Sequence, residues 1–128
     1  MTGERPLVVV AEDDEDILVL VQASLSAAGY DVAVARDGFA ALSLLRERRP
    51  AVAVLDIAMP ELDGLEVLTR VRAEPRTADL PIVLLSARAQ ESDVVRGYEL
   101  GASKYVRKPF SPRDLVSVVN ELVAREPS

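Results

Sequence analysis

Residues 51–75 read Ala-Val-Ala-Val-Leu-Asp-Ile-Ala-Met-Pro-Glu-Leu-Asp-Gly-Leu-Glu-Val-Leu-Thr-Arg-Val-Arg-Ala-Glu-Pro. The run Val52–Leu55 lacks polar alternation, the pattern of a strand covered on both faces of its sheet. Asp63-Gly64 then opens a helical stretch in which Leu65, Leu68 and Val71 recur three residues apart, and Pro75 forbids its continuation. A buried strand, a polar loop and an amphipathic helix form one βα unit.

The same unit recurs on either side. Further apolar runs fall at Leu7–Ala11, Asp31–Ala35, Ile82–Leu85 and Tyr105–Val106. Behind the first, Ile17, Leu20, Val21, Leu25 and Ala28 make a helical stripe that Gly29 closes. Behind the second, Asp37 caps a helix that starts near Gly38, carries Ala41, Leu42 and Leu45, and must end before Pro50. The fourth helix has only Val94, Val95 and Tyr98 for a stripe, with Gly101 as its C-terminal stop, so a weakly held helix is expected there. The fifth has Ser111 as cap, Pro112 in the first helical position, and one apolar face of Leu115, Val118, Val119, Leu122 and Val123. Five such units joined by right-handed crossovers predict an α/β fold, a doubly wound parallel sheet with helices on both faces.

The chain of 128 residues suits one domain over 1–128, with its core at about 6–124 and no room for a second folded module. Its 49% hydrophobic and 28% charged residues are those of a globular protein. With 21 acidic against 15 basic residues the net charge is −6, a field that repels nucleic acid and anionic lipid, so neither direct nucleic-acid binding nor a membrane partner is expected. The absence of cysteine excludes disulfides, thiolate zinc sites and thiol nucleophiles; the absence of histidine removes the commonest general base. Met1–Pro6 leads into only five apolar residues, too few for a signal-peptide core or a membrane span, and a cytoplasmic location is the expectation.

Doubly wound sheets bind ligands at the carboxyl ends of their strands. There the sequence sets Glu12-Asp13-Asp14-Glu15-Asp16, Asp56, Ser86 and Lys108-Pro109, after the first, third, fourth and fifth runs. Singly, each has a bland reading: an acidic run complements a helix dipole, Asp56 makes a turn, Ser86 caps, and Lys108 is an exposed charge. Together they bring Glu12, Asp13 and Asp56 to one mouth, where carboxylates repel unless a cation joins them. Ligands that are all oxygen select a hard ion such as Mg²⁺, which keeps several waters. A carboxylate beside Mg²⁺ is a competent nucleophile for a phosphoryl group and yields an acyl phosphate. The three outer phosphoryl oxygens would then meet Mg²⁺, the Lys108 ammonium and the Ser86 hydroxyl.

This ordered set, with Glu12-Asp13-Asp14, Asp56 through Gly64, Ser86-Ala87 and Lys108-Pro109-Phe110, resembles the receiver domain of two-component response regulators over nearly the whole chain. The resemblance implies the flavodoxin-like strand order 2-1-3-4-5 with five helices. It implies Asp56 as phosphoacceptor, and Mg²⁺ held by Asp13, Asp56 and the backbone carbonyl of Ala58, with Glu12 completing the acidic pair. It also implies Lys108 at the phosphoryl group before a cis bond to Pro109, and a switch pair of Ser86 and Tyr105. The expected role is a signalling module rather than an enzyme in the ordinary sense, although it would catalyse its own phosphorylation and dephosphorylation. A histidine kinase or phosphotransfer protein would supply the phosphoryl group, and an effector protein or domain would read the surface of the fourth helix, fifth strand and fifth helix. Arg88 and Ala58 occupy positions at which the family tunes the lifetime of the phosphorylated state.

Two departures stand out. Glu12 replaces the commoner aspartate. Ser103-Lys104 stands where many receivers have two aspartates, and Val118 where the branch joined to winged-helix domains has an arginine on the fifth helix, which argues against that branch's symmetric dimer. A phosphatase of the haloacid dehalogenase type would need a second aspartate at Ala58, and a flavodoxin would need phosphate donors where this chain has Glu12-Asp13. A receiver that binds partners without being phosphorylated would not need the complete set.

Overall fold

In the computed structural model the described residues are 5–87 and 91–125, which leaves Arg88 outside them. Five strands, β1 (Leu7–Ala11), β2 (Asp31–Ala35), β3 (Val52–Asp56), β4 (Ile82–Ser86) and β5 (Lys104–Arg107), form one parallel sheet in the order β2-β1-β3-β4-β5. The central strands β1, β3 and β4 carry almost no exposed side chain, which is why their sequences read as unbroken apolar runs. Alternate residues face opposite sides: Val9, Ala53, Leu55 and Leu84 enter one core with Leu42, Leu45, Leu68 and Val71, while Val8, Val10, Val54 and Leu85 enter the other with Val21, Leu25, Leu115 and Val119.

The strands outrun their apolar stretches. Asp56 pairs in register with Leu85 and Ser86 with Arg107, so both polar residues are the last of their strands rather than loop residues beyond them. Backbone pairing sets the end of a parallel ladder, and side-chain polarity does not register it. Asp56 and Ser86 thereby inherit the rigidity of the sheet.

The helices are α1 (Glu15–Ala27), α2 (Gly38–Arg48), α3 (Gly64–Ala73), α4 (Glu91–Glu99) and α5 (Pro112–Arg125). Asp14, Asp37 and Asp63 cap the first three through side-chain oxygens that accept backbone N–H groups. α1 gives way at Gly29 with φ of 104°, and α2 ends with Arg49 in the left-handed region before Pro50. Two glycines are required by close approach: a Cβ on Gly38 would lie 1.9 Å from the Leu62 carbonyl oxygen, and one on Gly64 would lie 2.4 Å from that of Asp56. Of the stripe expected on α4, Val95 and Tyr98 turn out to face solvent, at 47% and 46% exposure. The buried position among those described is Gly97, where a Cβ would lie 3.1 Å from the Leu84 side chain, so a glycine and not an apolar side chain makes the close approach. Among the described residues no helix is long and apolar enough to cross a membrane.

Candidate functional site

The acidic run after β1 divides its labour. Glu12 is fully buried, and its Oε2 accepts the Asp14 N–H at 3.2 Å. Asp14 caps α1, taking the N–H groups of Asp16 and Ile17 at 3.0 and 3.2 Å. Glu15 pairs with Arg36 at the surface. Asp13 is exposed beside the mouth. The run thus complements the dipole of α1 through Asp14 as cap and Glu15 and Asp16 in the first turn, while Glu12 alone is turned into the interior.

Asp56 is 3% exposed at the end of β3, and its Oδ1 accepts the Ala58 N–H at 3.3 Å. Gly64, whose N–H donates to the Ile57 carbonyl at 2.9 Å, closes the loop from Asp56 back to the start of α3. Glu12, Asp13 and Asp56 can each offer one carboxylate oxygen, and these oxygens lie within 4.8 Å of one another.

Lys108 enters from the opposite side. Its Nζ stands 2.6 Å from Oε1 of Glu12 and 3.2 Å from Oδ2 of Asp56. It precedes a cis bond to Pro109, and its N–H is held by the Ser86 carbonyl at 2.8 Å. The close ion pair with Lys108 is the contact that meets the buried Oε1 of Glu12.

The electrostatics show an unfinished balance. Burial pushes the Glu12 carboxyl above its ordinary range, and Asp56 adds to the rise, against the opposing pull of Lys108 and the Asp14 amide. Burial works against the Lys108 ammonium, yet Glu12 and Asp56 together outweigh it and raise its pKa. In a matched pair the acid would be lowered while the base was raised. Here both rise, because burial penalises the Glu12 carboxylate more than Lys108 relieves it, and Asp56 adds to that penalty. The cluster has the charge and the oxygen donors to take a second cation, and its all-oxygen composition fits Mg²⁺.

Ser86 is 5% exposed at the end of β4, beside this mouth. Tyr105 pairs with Leu84, two residues below Ser86, and packs half-buried against the sheet. It belongs to the layer beneath the site rather than to the site itself. Glu12, Asp13, Asp56 and Lys108 come together at this mouth; Gly64 and the Asp14 amide are neighbours that polarity alone did not single out.

Residues 8–120 match the response regulator receiver domain. The chain belongs to this family. The receiver domain is 41% identical over 118 residues to the alkaline phosphatase synthesis transcriptional regulatory protein PhoP of Bacillus subtilis (strain 168), covering 92% of this chain and 48% of that protein. It is 44% identical over 123 residues to the transcriptional regulatory protein PrrA of Mycobacterium tuberculosis (strain ATCC 25618 / H37Rv), covering 96% and 52%. The chain thus spans about half the length of the curated relatives it matches. Among solved structures, a putative response regulator from Chloroflexus aurantiacus J-10-fl superposes with a TM-score of 0.90 at 34% identity, over 95% of this receiver domain and 100% of that chain. The receiver domain of sensor histidine kinase PA1611 from Pseudomonas aeruginosa PAO1, with a magnesium ion in its active site cleft, superposes with a TM-score of 0.87 at 25% identity, over 94% and 99%.

Proposed function

We propose that the domain accepts a phosphoryl group on Asp56 and that this charge resets its α4, β5 and α5 surface for a partner protein. The observation that carries the reading is the Asp56 carboxylate, buried at a rigid strand end, 3.2 Å from the Lys108 ammonium and within a cluster of three converging carboxylates. A solvated surface aspartate would have neither the burial nor the company.

In this reading a carboxylate oxygen of Asp56 attacks phosphorus, the bond from phosphorus to the donor nitrogen or oxygen breaks, and its electron pair leaves with the donor. Asp13, Asp56 and the Ala58 carbonyl would hold Mg²⁺, with Glu12 completing the acidic pair. The ion supplies neutralisation of the phosphoryl oxygens. Lys108 exchanges part of its contact with Glu12 and Asp56 for a phosphoryl oxygen. Ser86 supplies a hydroxyl donor to another oxygen, and Tyr105 turns inward as that hydroxyl moves.

The donor is a phosphohistidine of a histidine kinase or phosphotransfer protein in the cytoplasm, and the reader is an effector protein or linked domain. Lys104 supports the absence of the winged-helix type of dimer, since its Nζ is engaged within the chain by Glu121 at 3.5 Å on α5. Borohydride reduction of the phosphorylated chain followed by peptide mass mapping tests the acceptor: an acyl phosphate at Asp56 leaves homoserine at position 56. Reduction at Asp13 or another carboxylate would replace Asp56 as the acceptor.

A further inference from the structure

One half-buried cation lies outside the carboxylate cluster. Arg72, in the last turn of α3, directs its Nε and Nη2 to the Gly101 carbonyl at 3.0 and 2.8 Å and its Nη1 to the Ala78 carbonyl at 3.0 Å. The guanidinium thus spends a planar fork on one peptide oxygen in the turn between α4 and β5, and a further N–H on the loop before β4. The side chain is half-buried, and burial pulls the pKa of Arg72 down, with Asp79 opposing. Gly101 is matched to this fork, since its φ is 108° and a Cβ there would lie 2.9 Å from Nε of Arg72.

The turn is secured on its other sides as well. Leu100, Gly101 and Ala102 donate their N–H groups to the Arg96, Tyr98 and Gly97 carbonyls at 2.9, 3.0 and 3.0 Å. Ser103 donates its N–H to the Ile82 carbonyl at 2.8 Å and accepts the Ile82 N–H on its hydroxyl at 3.1 Å. Farther up α4, Val95 and Tyr98 face solvent. At its opposite end α3 sits on the phosphoacceptor loop, with Gly64 against the Asp56 backbone. α3 is a strut about 15 Å long by helix geometry, pinned to Asp56 at one end and to α4 at the other.

We propose that Arg72 is a positioning residue that fixes the C-terminal end of α4, making the turn at Gly101 the pivot about which this helix responds to phosphorylation. The inference rests on the preceding reading for what triggers the response, and on the Arg72 contacts for the pivot itself.

Residue-resolved hydrogen exchange on the whole chain tests it, with and without acetyl phosphate and Mg²⁺, for the native protein, Arg72→Met and Arg72→Lys. In the native protein the Leu100, Gly101 and Ala102 amides keep their protection on phosphorylation, while those of Val94 and Val95 change. In Arg72→Met the three turn amides exchange faster, on the order of tenfold, already without phosphate, whereas Val9 and Val54 in the central strands keep their native rates. Arg72→Lys keeps the charge without the fork and does not restore the turn; it stands in if the methionine variant fails to fold. Native rates at the turn in either variant, or loss of protection there in the native protein on phosphorylation, would overturn the pivot. Failure of the native chain to take up phosphate would sink the functional reading instead, and the comparison of free native and variant proteins would still decide whether Arg72 holds the turn.

Discussion

At the scale of single residues the site turns on an uneven count of charges. Lys108 is the one ammonium within 4 Å of both Glu12 and Asp56 among the described residues. Lys108→Met leaves two buried carboxylates facing each other and should lower stability on the order of 3 kcal/mol, softened as Glu12 takes up a proton. Chemical denaturation with and without Mg²⁺ checks this, because added ion should recover more stability in the variant than in the native protein. An equal gain in both would mean that ion and lysine do not answer the same charge. A second residue-scale expectation concerns Tyr30, which is buried and bonds through its hydroxyl to Asn120. Burial raises its pKa above the ordinary tyrosine value. A raised folded pKa adds stability that is complete below the unfolded value of about 10 and is lost as pH rises through the folded one. Tyr30→Phe should remove this alkaline loss from the pH profile of unfolding, and an unchanged profile would mean another group governs it.

At the scale of elements, the sequence carried most of what the fold shows, for identifiable reasons. β1, β3 and β4 are apolar on both faces, so their runs stand out, and α5 has a full stripe between Ser111 and its end. What polarity could not show was the last strand residue: Asp56 and Ser86 belong to the ladder because their backbones pair, whatever their side chains. Nor could it show that Arg72, one of several arginines on α2 and α3, turns inward to a carbonyl far along the chain. Gly64 illustrates the intermediate case. Its place after Asp63 marks a helix start, but only the fold reveals that a Cβ there would meet the Asp56 carbonyl oxygen at 2.4 Å. Gly64→Ala should therefore cost about 2 kcal/mol by overpacking and slow phosphoryl uptake by shifting the acceptor loop; thermal unfolding and the uptake rate report the two effects. The contrast between α4 and α5 is also measurable. Val95→Ala on the exposed face of α4 should change stability by less than about 0.5 kcal/mol, whereas Leu115→Ala, at 1% exposure, should cost about 3 kcal/mol. Comparable losses would show α4 to be as firmly packed as α5.

At the scale of the whole molecule, the parallel sheet delivers four strand ends to one edge, and that convergence turns separately unremarkable residues into a site. Glu12 from the β1 end, Asp56 from β3, Ser86 from β4 and Lys108 from beyond β5 are far apart in sequence and adjacent in space. On the proposed reading, phosphorylation at that edge would add about −1.5 to −2 charges to the cluster and draw Lys108 and Ser86 toward the new oxygens. α4 leaves Val95 and Tyr98 exposed, and on the same reading it is the surface on which the change at Asp56 would be read. In the proposed function Asp56 takes a phosphoryl group and needs a divalent cation to do so. Intact mass after incubation with acetyl phosphate tests it most directly, for the native chain with Mg²⁺, for the native chain with chelator, and for Asp56→Asn with Mg²⁺. The account predicts one added phosphoryl group in the first sample and none in the other two. Equal uptake by Asp56→Asn, or none by the native chain even with a histidine kinase as donor, would contradict it.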